Sequence, residues 1–191
     1  MSSSGRLRIF LDCGGHDGCS VRKWMNDPEH SDFICYSFEP QPEMFPYYED
    51  LPTTLIPKAV WTEFGELPLY RAGKRWESSS LLSGKITAPV RRVDTVECID
   101  FSHWLRENCT LRDRIVLKMD IEGAEYAVLE KMMDDGTIKM IDRLLIEWHG
   151  ERCGIPKEEH DRVVRRLKHF RLRGKHWDAM KFSTFPRSKQ T

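Results

Sequence analysis

The chain has 191 residues, of which 40% are hydrophobic and 31% charged, and its 30 Lys and Arg balance 30 Asp and Glu. That length suits one domain with a sizeable core, and the composition excludes a disordered or membrane-embedded chain. A balanced net charge excludes the global positive field of a nucleic-acid binder, although Arg162 to Lys175 is locally basic and Asp120 to Asp135 locally acidic. No apolar run approaches the ~18 residues of a transmembrane helix, and the start, Met1 to Gly5, lacks the apolar stretch of a signal peptide. The cysteines Cys13, Cys19, Cys35, Cys98, Cys109 and Cys153 form no C-x-x-C pair or zinc-like Cys/His spacing. Reduced thiols in a cytoplasm-like compartment are therefore expected.

Taken in order, Arg8 to Asp12 reads as a buried strand running into glycines, and Ser20 to Asn26 as a helix that stops before Pro28. Phe33 to Glu39 is a second buried strand. Pro40 and Pro42 open a helical segment to about Asp50, since proline is tolerated in a first turn. Thr53 to Val60 reads as a third strand, and Glu66 to Tyr70 as a hairpin strand after Gly65. Residues 71–88 form the longest irregular stretch and the expected mobile active-site loop. Val90 to Val96 follows as a strand and Asp100 to Asn108 as a helix with Asp100 as N-cap. Arg114 to Asp120 (strand), Ala124 to Met133 (helix), Ile141 to His149 (strand) and Glu158 to Phe170 (helix) come next. Trp177 to Phe182 closes the chain as an edge strand. This alternation predicts an α/β domain over 1–191 with a mainly parallel sheet and helices on both faces.

Ligands of such sheets bind beyond the carboxyl ends of the strands, near the topological switch. The first strand ends in Asp12-Cys-Gly14-Gly15-His16-Asp-Gly18, where the glycines permit positive φ and close approach by a ligand. The helix behind offers unpaired N–H groups that suit a carboxylate. The second strand ends in Phe38-Glu39-Pro40, about twenty residues after Gly18, where an acid accepts hydrogen bonds from both ribose hydroxyls. A nicotinamide-binding G-x-G-x-x-G would need glycine at Cys13. Asp12 would repel a pyrophosphate there, but suits the ammonium of an amino-acid tail. The pattern therefore favours S-adenosyl-L-methionine over a dinucleotide.

At the other end, Lys118-Met-Asp120-Ile-Glu122-Gly-Ala-Glu125 places Asp120 and Glu122 in the turn after the fourth strand. Leu145-Ile-Glu147-Trp-His149 ends the fifth, where alternation puts Glu147 and His149 on one face. His149, Asp120 and Glu147 are the candidate catalytic residues. His149 is the preferred base because its unperturbed pKa lies near neutrality, and Asp120 would orient acceptor or cofactor. Burial beside other acids would make a carboxylate a competing base. Glu122 and Glu125 also suit a helix N-terminus as ordinary first-turn acids. Asp120, Glu147 and His149 could alternatively hold a divalent ion, but no metal is the leading expectation.

Together these motifs resemble the FkbM-type methyltransferase family. The resemblance rests on Leu11 to Gly18, Phe38 to Pro40, Ala59-Val60, Ser80-Leu81, Val116 to Glu125 and Ile146 to His149. It spans a motif-bearing core over 11–149, with 150–191 left as a C-terminal helix and edge strand. It implies a Rossmann-like class I fold and adenosylmethionine-dependent methylation, mostly of hydroxyls on small molecules or sugars. It also implies that Asp12, Gly14 and Gly18 belong to the cofactor turn and Glu39 to the ribose, and Gly15, His16 and Pro40 beside them are further cofactor-binding candidates. Ala59, Val60 and Trp61 would lie near the adenine, and Asp120, Glu122, Glu147 and His149 near the methyl group. Gly15-His16 departs from the Ala-Asn more usual there. The turn also begins near the N-terminus, so acceptor selection is expected from residues 71–88, the C-terminal tail or a second subunit of a homodimer.

Two other readings compete. The basic residues Arg162, Arg165, Arg166, Lys168, Arg171, Arg173 and Lys175 would suit a nucleic-acid methyltransferase. They flank Val163, Val164, Leu167 and Phe170 at helical spacing, so a solvated helix face explains them better. A non-catalytic nucleotide-binding protein of the same fold is opposed by the intact strand-end acids, although fold alone does not decide.

Overall fold

The computed structural model describes residues 6–84, 89–172 and 174–177. In chain order the elements are β1 (Arg8–Cys13), α1 (Cys19–Met25), β2 (Ile34–Phe38), β3 (Thr54–Ile56), β4 (Ala59–Trp61), β5 (Gly65–Ala72) and β6 (Val90–Asp100). They continue with α2 (Phe101–Asn108), β7 (Arg114–Met119), α3 (Glu125–Asp134), β8 (Ile141–Ile146), α4 (Lys157–His169) and β9 (Lys175–His176). Six strands form one sheet in the order β3-β2-β1-β7-β8-β9, and every pairing in it is parallel. The chain steps outward from β1 to β3, then returns to β7 on the other side of β1. The topological switch thus lies between β1 and β7.

Alternating side chains of the central strands feed two cores. Ile9, Leu11 and Cys13 of β1, Ile115, Leu117 and Met119 of β7, and Leu144 and Ile146 of β8 enter the larger one. There they meet Phe101, Trp104 and Leu105 of α2, Tyr126, Leu129 and Met132 of α3, and Val163 and Leu167 of α4. Phe10, Val116 and Leu145 point the other way, to Val21 and Trp24 of α1, Phe33 and Trp177. Burial on both faces explains why these strands read as continuous apolar runs. The same parity sets Asp12 opposite Lys118 on one neighbour and opposite Ser37 on the other.

Several expectations shift. The third strand is two: Pro57, lacking an N–H, separates β3 from β4, and β4 joins a second sheet of order β4-β6-β5. That sheet is mixed, with β4 parallel and β5 antiparallel to β6. The segment after β2 is a 3-10 helix over Pro42–Tyr48 with Pro46 inside it, where a missing donor interrupts α-helical bonding. β6 runs on to Asp100, whose carboxylate then caps α2 by accepting from His103 N at 2.9 Å. β8 ends at Ile146, so Glu147 and His149 lie beyond the strand and its alternation does not govern them. The final strand is Lys175–His176, and residues 178–182 of the expected edge strand lie outside the described residues.

Residues 71 and 72 belong to β5, and 85–88 of the expected loop also lie outside the described residues. All six cysteines are buried and free of disulfides. Among the described residues, no helix is long and apolar enough to cross a membrane.

Candidate active site

The turn after β1 is closed against its own scaffold. A Cβ on Gly14 (φ 76°) would collide with the Asp120 carbonyl oxygen, and one on Gly15 with the Tyr48 hydroxyl and Ser37 Oγ. These glycines let the turn pass under the end of β7, so their close neighbour is backbone and side chain of this chain. Asp12 lies beneath, fully buried. Lys118 Nζ stands 3.0 Å from its Oδ1, and Ser37 Oγ donates to its Oδ2 at 3.1 Å. Lys118 also donates to the Gly14 carbonyl at 2.7 Å and lies 3.6 Å from Asp120 Oδ2. Asp12 thus has its cation within the fold, where the sequence suggested a ligand's ammonium. Just before α1, Asp17 Oδ1 accepts from Cys19 N at 3.1 Å.

Glu39 sits just after β2, buried beside this turn. Its Oε2 accepts from His16 N at 2.8 Å and its Oε1 from Gln41 N at 2.9 Å. Each oxygen keeps a further lone pair, an acceptor for the O–H of a ribose hydroxyl. Burial pushes the Glu39 carboxyl above its ordinary value, against the pull of those two N–H groups. Ala59 and Val60 are buried in the cores.

A strap over residues 73–80 connects the two ends of the cleft. Arg75 O lies 3.0 Å from His16 Nε2, and Ser79 Oγ donates to Gln41 Oε1 at 3.3 Å. At the far end Ser80 Oγ donates to the Glu122 carbonyl at 2.6 Å. Glu77 ties the strap's first turn by accepting from Arg75 N at 2.7 Å. The buried Arg71 guanidinium lies 4.6 Å from the Trp76 ring centroid and pairs with Asp94 at 3.0 Å and Glu43 at 3.1 Å. This stretch, expected as a mobile loop, is anchored at both ends. His16 (φ 45°), Trp76 (φ 65°) and Glu122 (φ 53°) adopt left-handed backbone, each at a cost of roughly 1–3 kcal/mol. All three belong to the turn, the strap or the reacting end, and a fourth such residue, Arg171 (φ 58°), follows α4.

At the reacting end His149 is 1% exposed. Its Nε2 stands 3.6 Å from Asp120 Oδ1, 3.6 Å from Glu122 Oε2 and 3.6 Å from Glu147 Oε1. Behind the ring, Glu125 Oε1 lies 3.2 Å from Nδ1 and accepts from His149 N at 2.7 Å. The other oxygen of Glu125 accepts from Gly123 N at 2.8 Å. Burial alone would lower the His149 pKa, but Glu125, Glu147 and Glu122 raise it to about 10. The surrounding carboxylates therefore favour the charged imidazole, and the unperturbed value assumed from sequence does not hold here. Burial lifts Asp120 to about 6; Lys118 and His149 pull it down, and Glu147 and Glu122 push it up. Burial also works against the Lys118 cation, yet Asp12 and Asp120 hold its pKa above the ordinary value.

One polar line thus runs from Glu39 through the His16 turn, Asp12 and Lys118 to Asp120 and His149, across the switch point of a parallel sheet. The family model described as Methyltransferase FkbM domain matches residues 12–174. The chain belongs to the FkbM methyltransferase family. This FkbM domain is also similar to a solved structure, the methyltransferase FkbM from Methylobacillus flagellatus KT, at 16% identity and a TM-score of 0.43. The match covers 70% of this chain and 32% of that one, so the chain spans about a third of that protein. A comparison with curated proteins gives no match.

Within the FkbM domain, Asp120, Glu122, Glu147 and His149 converge, whereas Glu39 and His16 meet at the opposite end of the strap. Two residues that sequence reasoning left without a site role join them. Lys118 is a cation inside an apolar strand, and that interruption was its only signal. Glu125 read as an ordinary first-turn acid, and only the fold brings it to His149. The basic stretch is largely a packed helix: Arg162 pairs with Glu130 at 3.0 Å and Arg166 with Asp134 at 2.5 Å, both on α3.

Proposed function

We propose that this FkbM domain transfers a methyl group from S-adenosylmethionine to a hydroxyl of a small molecule or sugar. The observation that carries the reading is the meeting of Asp120, Glu122 and Glu147 around Nε2 of His149, each at 3.6 Å. Bound adenosylmethionine supplies an activated methyl on a sulfonium, with a thioether as leaving group. Glu39 accepts the ribose hydroxyls, and the His16 turn and strap enclose the nucleotide and exclude water. Asp120, Glu147 and His149 hold the acceptor hydroxyl in line with the methyl–sulfur bond, which is most of what such a displacement needs. As the acceptor oxygen takes the methyl, its proton passes to this cluster. Gly14, Gly15 and Gly18 shape the turn, and Pro40 directs the chain away from Glu39. The adenine would lie toward β4, the strand that carries Ala59 and Val60.

Six buried cysteines without a disulfide support a reducing, cytoplasm-like setting. The α3–α4 ion pairs favour a small acceptor over nucleic acid, because they already engage Arg162 and Arg166. Calorimetry with adenosylmethionine, adenosylhomocysteine and NAD tests the cofactor, with binding expected for the first two alone. Labelled-methyl transfer into a cell extract tests the acceptor. Binding of NAD in preference to adenosylhomocysteine would end the proposal, and label found only in nucleic acid would redirect it.

A further inference from the structure

The donor atoms in front of His149 have a spacing that suits a bound cation. A charged imidazole among carboxylates normally draws one of them to about 2.7–2.9 Å. Here the three oxygens of Asp120, Glu122 and Glu147 stand equally at 3.6 Å from Nε2, outside hydrogen-bond distance. Two ligands of one ion with bonds of about 2.1 Å stand roughly 3.0–3.6 Å apart at angles of about 90–120°. The donor atoms of Asp120, Glu122 and His149 all lie within 4.8 Å of one another, close to the spread of a single coordination shell.

A second observation concerns the back of the ring. Glu125, fully buried, lies 3.2 Å from Nδ1 and is itself fixed by the backbone N–H groups of Gly123 and His149. A carboxylate receiving Nδ1–H leaves Nε2 aimed into the cluster, where a cation would replace its proton; this is the support that metal-bound histidines ordinarily have. Lys118 is shared between Asp120 and Asp12, and Arg152 approaches Glu147 at 3.5 Å.

We infer that Asp120, Glu122 and His149, with Glu147 beside them, form a binding site for one divalent first-row cation. Mixed carboxylate and imidazole donors suit Mn2+, Fe2+ or Zn2+. Asp120, Glu122 and Glu147 are partly exposed, at 12%, 14% and 17% of their side-chain surface, so an ion has access. What the ion would do rests on the proposed function: it would ligate the acceptor hydroxyl and ease loss of its proton, placing the oxygen opposite the methyl group.

Mn2+ binding to the full chain, followed by electron paramagnetic resonance and calorimetry, tests the site. One Mn2+ per chain is expected. Affinity should fall at least about tenfold in Glu122→Gln and Asp120→Asn, and about 10- to 100-fold in Glu125→Gln. Glu130→Gln on α3, remote from the site, should leave it unchanged. Glu122 and Asp120 are partly exposed, so their variants should keep the parental melting curve even if Glu125→Gln does not fold. No uptake at millimolar Mn2+, or uptake indifferent to Glu122→Gln and Asp120→Asn, overturns the inference. Adenosylhomocysteine binding without Mn2+ binding would retain the proposed function and remove the cation; Mn2+ binding without adenosylhomocysteine binding would do the reverse.

Discussion

Two buried ionic groups lie either side of the Gly14 turn, and they are built differently. Asp12 and Lys118 are matched: one carboxylate and one ammonium on adjacent strands, 3.0 Å apart, with Ser37 and the Gly14 carbonyl taking further bonds. His149 instead faces Asp120, Glu122 and Glu147 at 3.6 Å each, while Glu125 holds its other nitrogen. A matched pair closes on itself and organises the backbone. The His149 cluster gathers several carboxylates about one imidazole beyond the strand ends, where we propose that it acts on a ligand. The two groups differ in how many charges they bring together: a single pair in one, one imidazole and four carboxylates in the other.

The sharpest way to break that comparison is Lys118→Met. If the pair is structural, the variant should lose about 3–5 kcal/mol of stability, since it leaves Asp12 buried without its cation. Urea unfolding would show it, and the double variant Asp12→Leu/Lys118→Met should recover part of the loss. A single variant as stable as the parent would show that Asp12 does not need this partner.

His149→Ala addresses the other group. It should slow methyl transfer by about 10²–10⁴-fold while changing adenosylhomocysteine affinity by no more than about threefold. Equal losses in rate and binding would place His149 with the nucleotide and not with the acceptor. Glu39→Ala should show the opposite pattern. Losing two ribose hydrogen bonds should cost roughly 1–3 kcal/mol of cofactor affinity, read by calorimetry as about a 5- to 150-fold weaker dissociation constant. The smallest effect belongs to a surface pair. Arg162→Ala should cost at most about 1 kcal/mol, and neither form should bind RNA or DNA at low salt. Nucleic-acid binding that weakened steeply with added salt would restore the reading set aside for α4.

Much of the site was legible because strand ends are. An apolar run that stops in an acid or a glycine marks where a chain leaves a parallel sheet, and Asp12, Glu39 and Asp120 each carry that mark. Legibility failed where a residue's partner is remote in sequence. Gly14 reads as a ligand's neighbour, yet the carbonyl it accommodates belongs to Asp120. Ala59 and Val60 read as the continuation of a third strand, yet Pro57 sends them into another sheet. Glu147 and His149 were placed together by strand alternation, but β8 has ended before them, and the turn that follows brings them together.

The order of apolar runs, turns and terminal acids was therefore enough to determine a parallel α/β sheet and the edge on which its chemistry sits, because local periodicity and chain direction decide both. Only the tertiary structure decided which acids are neutralised. Coulomb interactions depend on distance in space, and the distances from Lys118 to Asp12 and from Glu125 to His149 are set by strand order and helix packing, which separation along the chain does not encode.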